Sequence, residues 1–111
     1  MEELHKKKCI ACDRNTQPFD LNKIHKYLKK IDGWIVKKNN KKNYYLEKKI
    51  KFKNFIESQQ FTILVGLIAE KEGHHPDISY GWGYAKIKIF THSINGLVES
   101  DFILAAKIDQ I

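Results

Sequence analysis

Apolar residues recur along this 111-residue chain with two different periods. Leu21, Ile24, Leu28 and Ile31 are spaced by three or four. That spacing predicts a helix that opens at Asp20, whose carboxylate can accept from the first free amides, and stops at Gly33. "WIVKK" (34–38) reads as a short strand and "YYLEKKIKF" (44–52) alternates, with the polar run "NNKKN" between them, so the pair predicts a hairpin. Residues 53–72 form the longest helical segment and carry two apolar stripes. One runs through Phe52, Phe55, Ile56, Ile63 and Leu67, the other through Phe61, Leu64, Val65 and Ile68. Gly73 ends this helix. In "DISYGWGYAKIKIFTH" (77–92), Ala85, Ile87 and Ile89 alternate with Lys86, Lys88 and Phe90, which predicts two strands with a bend at Gly81 or Gly83. A last helix is expected from about Val98 to Ile108.

The resulting order, α-β-β-α-β-β-α, implies an α+β two-layer sandwich: a four-stranded antiparallel sheet with helices packed on one face. Residues 1–17 have turn formers and charge with little periodicity, so an irregular N-terminal arm should precede the rest of a single domain spanning 1–111. A helix apolar on two faces needs two partners. In so small a chain the second partner is expected to be another subunit.

Composition narrows the class. Hydrophobic residues make up 42% of the chain and charged residues 30%, a globular balance. No apolar run approaches the roughly 18–20 residues a bilayer span needs, and the start, "MEELHKKKCIACD", offers no apolar core for a signal peptide. A cytoplasmic protein without a membrane partner is the expectation.

The net charge of +7 is uneven: residues 1–53 hold sixteen Lys and Arg against six Asp and Glu, and residues 54–111 hold four against seven. Nineteen of the twenty basic residues are lysines, whereas base-edge and phosphate readers favour arginine, so nucleic acid is not the expected partner. The two cysteines form one C-x-x-C, Cys9 and Cys12. A structural zinc site wants four ligands, His5 has no standard spacing to them, and the strand-to-helix setting of a redox motif is missing. Two reduced thiols near a loose N-terminus are expected.

The chemistry concentrates in three of five histidines. His74 and His75 follow Gly73 directly and precede Pro76, which biases His75 toward an extended backbone; in an extended pair the two side chains point to opposite faces. His92 lies near the end of the fourth strand. Imidazoles suit proton transfer near neutrality, so facing histidines suggest an elimination or isomerisation. Three could equally hold zinc, or could be unrelated surface residues. Against a zinc hydrolase, there is no H-E-x-x-H and no obvious carboxylate base beside the pair.

The spacing Glu70, three residues, His74-His75-Pro76, five residues, Trp82, nine residues, His92, then Asp101 resembles the signature of the pterin-4a-carbinolamine dehydratases. The likeness continues through "THSINGL", "DFILAAKID", Gly33-Trp34 and "KKCIACD", close to the whole chain. It implies an α+β fold and a lyase that dehydrates 4a-hydroxytetrahydropterin to quinonoid dihydropterin without a metal or redox cofactor, recycling the tetrahydrobiopterin-type cofactor of aromatic amino acid hydroxylases. It implies a catalytic set of His74, His75 and His92, with His74 and His92 as the acid–base pair and His75 holding the pterin. Glu70, Pro76, Thr91, Ser93, Trp34 and Asp101 would line or support the substrate site, Asp101 chiefly by serving the helix dipole. Relatives form homotetramers or homodimers. Some animal members act as coactivators by binding a transcription factor, so a binding module without catalysis is the rival reading. Two departures stand out: Gly73 where relatives carry a polar residue, and Val98 where they carry Ser or Thr as a helix cap.

Overall fold

The computed structural model describes residues 3–10 and 16–111. Cys12 therefore lies outside the described residues. After a 3-10 turn at Leu4–Lys6, the elements are α1 (Leu21–Leu28), β1 (Ile35–Lys38), β2 (Tyr44–Lys51), α2 (Phe55–Glu72), β3 (Asp77–Gly81), β4 (Tyr84–Ile89) and α3 (Glu99–Ile108). The four strands form one antiparallel sheet in the order β1-β2-β4-β3. Leu46 of β2 pairs with Ile89 of β4, and Ile78 of β3 pairs with Ile87, which puts their side chains on the helix-covered face. Ala85, Ile87 and Ile89 are buried there, and the alternate residues Tyr84 and Lys86 are exposed. The α+β sandwich expected from the periodicity is the fold observed.

Helix α1 begins as expected, with Asp20 accepting from Lys23 N–H at 2.9 Å. It ends earlier, at Leu28. Lys30 N–H and Ile31 N–H bond back three residues, to Tyr27 and Leu28, so the chain leaves through a tight turn before Gly33 (φ +77°). Ile31 still packs on the core, so its helical spacing signalled burial correctly while overstating the helix.

In α2 the buried positions are Ser58, Thr62, Val65 and Ala69. The face against the sheet is thus small and partly polar. Ser58 Oγ donates to Gly81 O across the interface at 2.6 Å, and Thr62 Oγ1 donates back to Gln59 O at 2.8 Å, so neither hydroxyl is stranded. The expected stripe of Phe55, Ile56, Ile63 and Leu67 lies outward, joined by Leu64. The other expected stripe packs inward apart from Leu64: Val65 is buried, and Phe61 and Ile68 lie against the core.

Helix α3 is the centre of the molecule, with Ser100 to Ala106 and Ile108 all buried. Its C-terminal end is tied to the sheet through Asp109, which accepts from Trp34 Nε1 (2.9 Å), Asp32 N–H (2.9 Å) and Lys48 Nζ (2.8 Å). The described residues 4–10 of the arm are fastened, contrary to the expectation of a loose N-terminus. Leu4 joins the core, Lys107 Nζ donates to His5 O at 3.0 Å, and residues 9 and 10 bond to α2 and α3.

Candidate active site

Helix α2 ends in a left-handed Gly73 (φ +66°), whose N–H bonds to Glu70 O while His74 N–H reaches back to Ala69 O at 3.2 Å. This paired C-terminal cap fixes the direction in which the chain leaves the helix. A Cβ on Gly73 would meet open space, so glycine is required there by backbone conformation alone.

The cap turns His74 inward. Its Nε2 lies 2.6 Å from Oδ1 of Asp101, a carboxylate with no exposed surface, while the histidine side chain is 15% exposed. The second oxygen, Oδ2, accepts from Thr91 Oγ1 and from Val98 N–H, each at 2.8 Å. Val98 is the N-cap of α3 and its side chain has nothing to accept with; Asp101, three residues on, supplies one half of a capping box. Burial of this carboxylate is tolerated because donors meet both oxygens and the helix N-terminus favours its charge. With the Asp101 carboxylate as acceptor, Nε2 of His74 carries the hydrogen of this bond.

His75 behaves differently. Its Nε2 lies 2.9 Å from Glu70 Oε2, with the histidine 61% and the glutamate 81% exposed, so water screens this pair. The opposite orientations of His74 and His75 match the extended geometry expected before Pro76, which is half-buried at the entry to β3. Both histidines have a carboxylate partner: Glu70, one helical turn before the pair, and Asp101, although no obvious carboxylate base was expected beside them. Asp101 is distant in sequence and gave no local sign of it.

Thr91 and Gly96 pair across a tight loop that presents His92 and Ser93 to solvent. The His92 ring rests on Phe90, with centroids 4.3 Å apart. Carried back from Asp77 and Lys88, the β3–β4 register would set His74 across from Thr91 and His75 across from Phe90. Thr91, sharing Asp101 with His74, agrees. The structure thus brings His74, Thr91 and Asp101 into one bonded cluster, while His75 pairs with Glu70 and His92 lies against Phe90.

Trp34 is not brought to this cluster. It is buried in the core and its Nε1 donates to Asp109, at the opposite end of α3 from Asp101; eight residues of helix rise put those carboxylates about 12 Å apart. Asp101 itself has no surface with which to touch a substrate, so it supports His74. Among the described residues, no group of three or more His, Cys, Asp or Glu side chains is placed to hold one metal ion. A cavity of about 40 Å³ lies behind His74, lined by Cys9, Ile10, Glu72, Gly73, Thr91 and Ser100 as well. Burial, with Glu72 close by, pushes the Cys9 thiol up to about 12, so it stays protonated and unreactive. Glu72 is held below the usual carboxylate range by the Cys9 N–H bond and Lys107, against a smaller opposing effect of burial. Sequence reasoning missed this arm-side wall, because nothing local marks Glu72 or Ser100 as its anchors.

A small α+β domain with a carboxylate-backed histidine at its strand ends has the parts an acid–base enzyme needs. The family model described as Pterin 4 alpha carbinolamine dehydratase matches residues 17–111. A protein of Alkaliphilus metalliredigens (strain QYMF), provisionally named a pterin-4-alpha-carbinolamine dehydratase, is 45% identical over 111 residues, 99% of this chain and 96% of its own. A second with that provisional name, from Rubrobacter xylanophilus, is 40% identical with full coverage of both chains. The crystal structure of a Brucella melitensis protein described as a transcriptional coactivator/pterin dehydratase superposes with a TM-score of 0.74 at 28% identity, covering 85% of this chain and 97% of that one. A pterin dehydratase-like protein described as a RuBisCO assembly factor in the alpha-carboxysome (TM-score 0.59, 23% identity, coverage 70% and 87%) shares the fold. The chain belongs to the pterin-4-alpha-carbinolamine dehydratase family.

Proposed function

We propose that this protein dehydrates 4a-hydroxytetrahydropterin to quinonoid dihydropterin, with His74 and His92 as the proton-transfer groups. The observation that carries the reading is the bond between His74 and the buried Asp101, which supports a fixed tautomer and leaves one ring nitrogen for the reaction. The reaction is a balanced elimination. A base takes the proton on N5, the N5–C4a double bond forms as C4a–O breaks, and an acid protonates the departing oxygen, so one water leaves. Nothing is oxidised or reduced. His74 would act from the Asp101 side and His92, exposed just beyond Thr91, would supply the second proton-transfer group. His75, exposed with Glu70, would hold the pterin, and Pro76 and Ser93 would border it. Recycling of a tetrahydropterin cofactor in the cytoplasm is the role this chemistry serves, and the outward stripe of α2 supports a homodimer or homotetramer.

The test is a dehydration assay with 4a-hydroxytetrahydropterin generated in situ. His74→Ala and His92→Ala should each lower turnover about 10-fold or more, and the double variant far more. His75→Ala should weaken binding more than turnover. A double variant that keeps wild-type turnover would remove histidine catalysis from this protein.

A further inference from the structure

The arm does more than cover the core. Cys9 N–H donates to Glu72 Oε1 at 3.0 Å, at the end of α2 and two residues before His74. Ile10 N–H donates to Ser100 Oγ at 2.9 Å, and that hydroxyl donates back to Ile10 O at 3.0 Å, one residue before Asp101. Cys9 Sγ donates to Ser100 O at 3.4 Å, and Lys7 Nζ pairs with Glu99 at 3.3 Å. These bonds hold residues 7–10 across the gap between the two elements that present His74 and its carboxylate. Among the described residues, a 40 Å³ cavity, roughly enough for one or two waters, is lined by Cys9 and Ile10 of the strap and by His74 and Thr91. Glu72 is itself anchored, its side chain 8% exposed and 3.6 Å from Lys107.

We propose that residues 7–10 are a working part of the histidine site: held by Glu72 and Ser100, they close the protein side of His74 and keep its bond to Asp101 out of bulk water. A hydrogen bond to a carboxylate is strong where water is excluded and weakens when water competes for either partner. Opening the strap would let water enter the cavity and reach His74 from behind. His74 would then sample both tautomers and more ring orientations, although no group that touches substrate had changed. Glu72 and Ser100 act through His74 and are positioning residues. The strap lies before residue 17, where the matched family model begins, although relatives align along it. Among the described residues, the groups around the cavity that titrate or carry charge are Glu72 on α2, Asp101 and Lys107 on α3, Cys9 on the strap and His74 itself. The kinetic part of the inference rests on the dehydratase reading; the structural part does not.

The test uses the full chain with Cys12→Ser, so that Cys9 is the one thiol, carrying Glu72→Gln, Ser100→Ala, or both. Three readouts are compared with the parent. Cys9 labelling by a thiol reagent at neutral pH should accelerate roughly 10-fold or more as the thiol leaves its buried setting. Ring ¹⁵N shifts of His74 should move from a single tautomer toward an averaged pair. Turnover should fall about 3- to 10-fold with KM nearly unchanged, less than the 10- to 100-fold typical of a directly bonded outer partner. Faster labelling with unchanged ring shifts would show the strap to be structural only and overturn the proposal. Unchanged labelling in both single variants would overturn the anchoring by Glu72 and Ser100. If the double variant does not fold, Glu72→Gln alone carries the same comparison. A parent protein inactive on the pterin, whose variants still show the shift of the His74 ring, would sink the dehydratase reading and leave the strap's role standing.

Discussion

His74 Nε2 and Asp101 Oδ1 are 2.6 Å apart, and the same carboxylate caps the helix that carries it by accepting from Val98 N–H. Site and fold therefore depend on one side chain. Asp101→Asn separates the two roles. Its amide oxygen can still accept from Thr91 and Val98, while its NH₂ would face Nε2 and force the hydrogen onto Nδ1. Turnover should drop about 100-fold, and stability should change by less than about 1.5 kcal/mol. Asp101→Ala strands the Thr91 hydroxyl and the Val98 amide as well, and should cost about 2–4 kcal/mol in urea unfolding. Equal loss of stability in both variants would show that the carboxylate's charge, rather than its acceptor geometry, holds the cap.

Glu72 gives a pH signature. Its carboxyl is held below its ordinary value of 4.5, first by the Cys9 N–H bond, so the folded protein keeps the charged form where the unfolded chain takes up a proton. The contribution is complete above 4.5 and is lost as pH falls through the lower folded value. Glu72→Gln should cost about 1–2 kcal/mol at neutral pH and flatten the acid-side slope of the urea midpoint. A variant with the parent's slope would place the acid sensitivity elsewhere, Glu99 being the next carboxylate held low, by Tyr27 and Lys7 against its own burial.

How far the sequence could be read depended on how local each determinant was. The alternation of Ala85, Ile87 and Ile89 declared a one-sided strand, and Asp20 and Gly73 marked helix ends, because each acts through its immediate neighbours. The packed face of α2 was legible in Val65, Phe61 and Ile68 but not in Ser58 and Thr62, which are buried through contacts with β3 and with their own helix. The opposed directions of His74 and His75 followed from the extended bond before Pro76. The partnership of His74 with Asp101 did not, for Asp101 arrives from α3 only once the sheet and helices have assembled. Trp34 could be read equally as a pterin neighbour or a core residue for the same reason: its partner, Asp109, is 75 residues away.

The lysines should not matter to catalysis. On the open sheet face Lys37 bonds Glu47 at 2.7 Å, Lys88 lies 4.3 Å from the centre of the Tyr45 ring, and Lys49 stands opposite Lys86. They form a solvated face whose charges are screened beyond about 10 Å at 0.1 M salt. Raising salt from about 50 to about 500 mM should change turnover less than about threefold. A steep fall, or salt-sensitive binding of nucleic acid at micromolar strength, would give this face a polyanion partner.

The outward face of α2 supports the strongest statement about assembly. Ile56, Ile63 and Leu67 are each more than half exposed, and Phe55 and Leu64 extend the patch along the helix. Side chains of this kind gain about 1.5–3 kcal/mol apiece when fully buried, so five of them would favour association even if burial were partial. The expected state is a homo-oligomer, a tetramer in preference to a dimer. Ile63→Glu places a charge in the middle of the patch without touching Val65 or Ala69 on the packed face. It should weaken association roughly 100-fold, equivalent to about 2.7 kcal/mol, while leaving the monomer folded. Sedimentation across a concentration series decides the matter: a wild-type protein that stays monomeric at micromolar concentration removes the subunit interface from α2, and an Ile63→Glu variant that assembles as the parent does moves it to another surface.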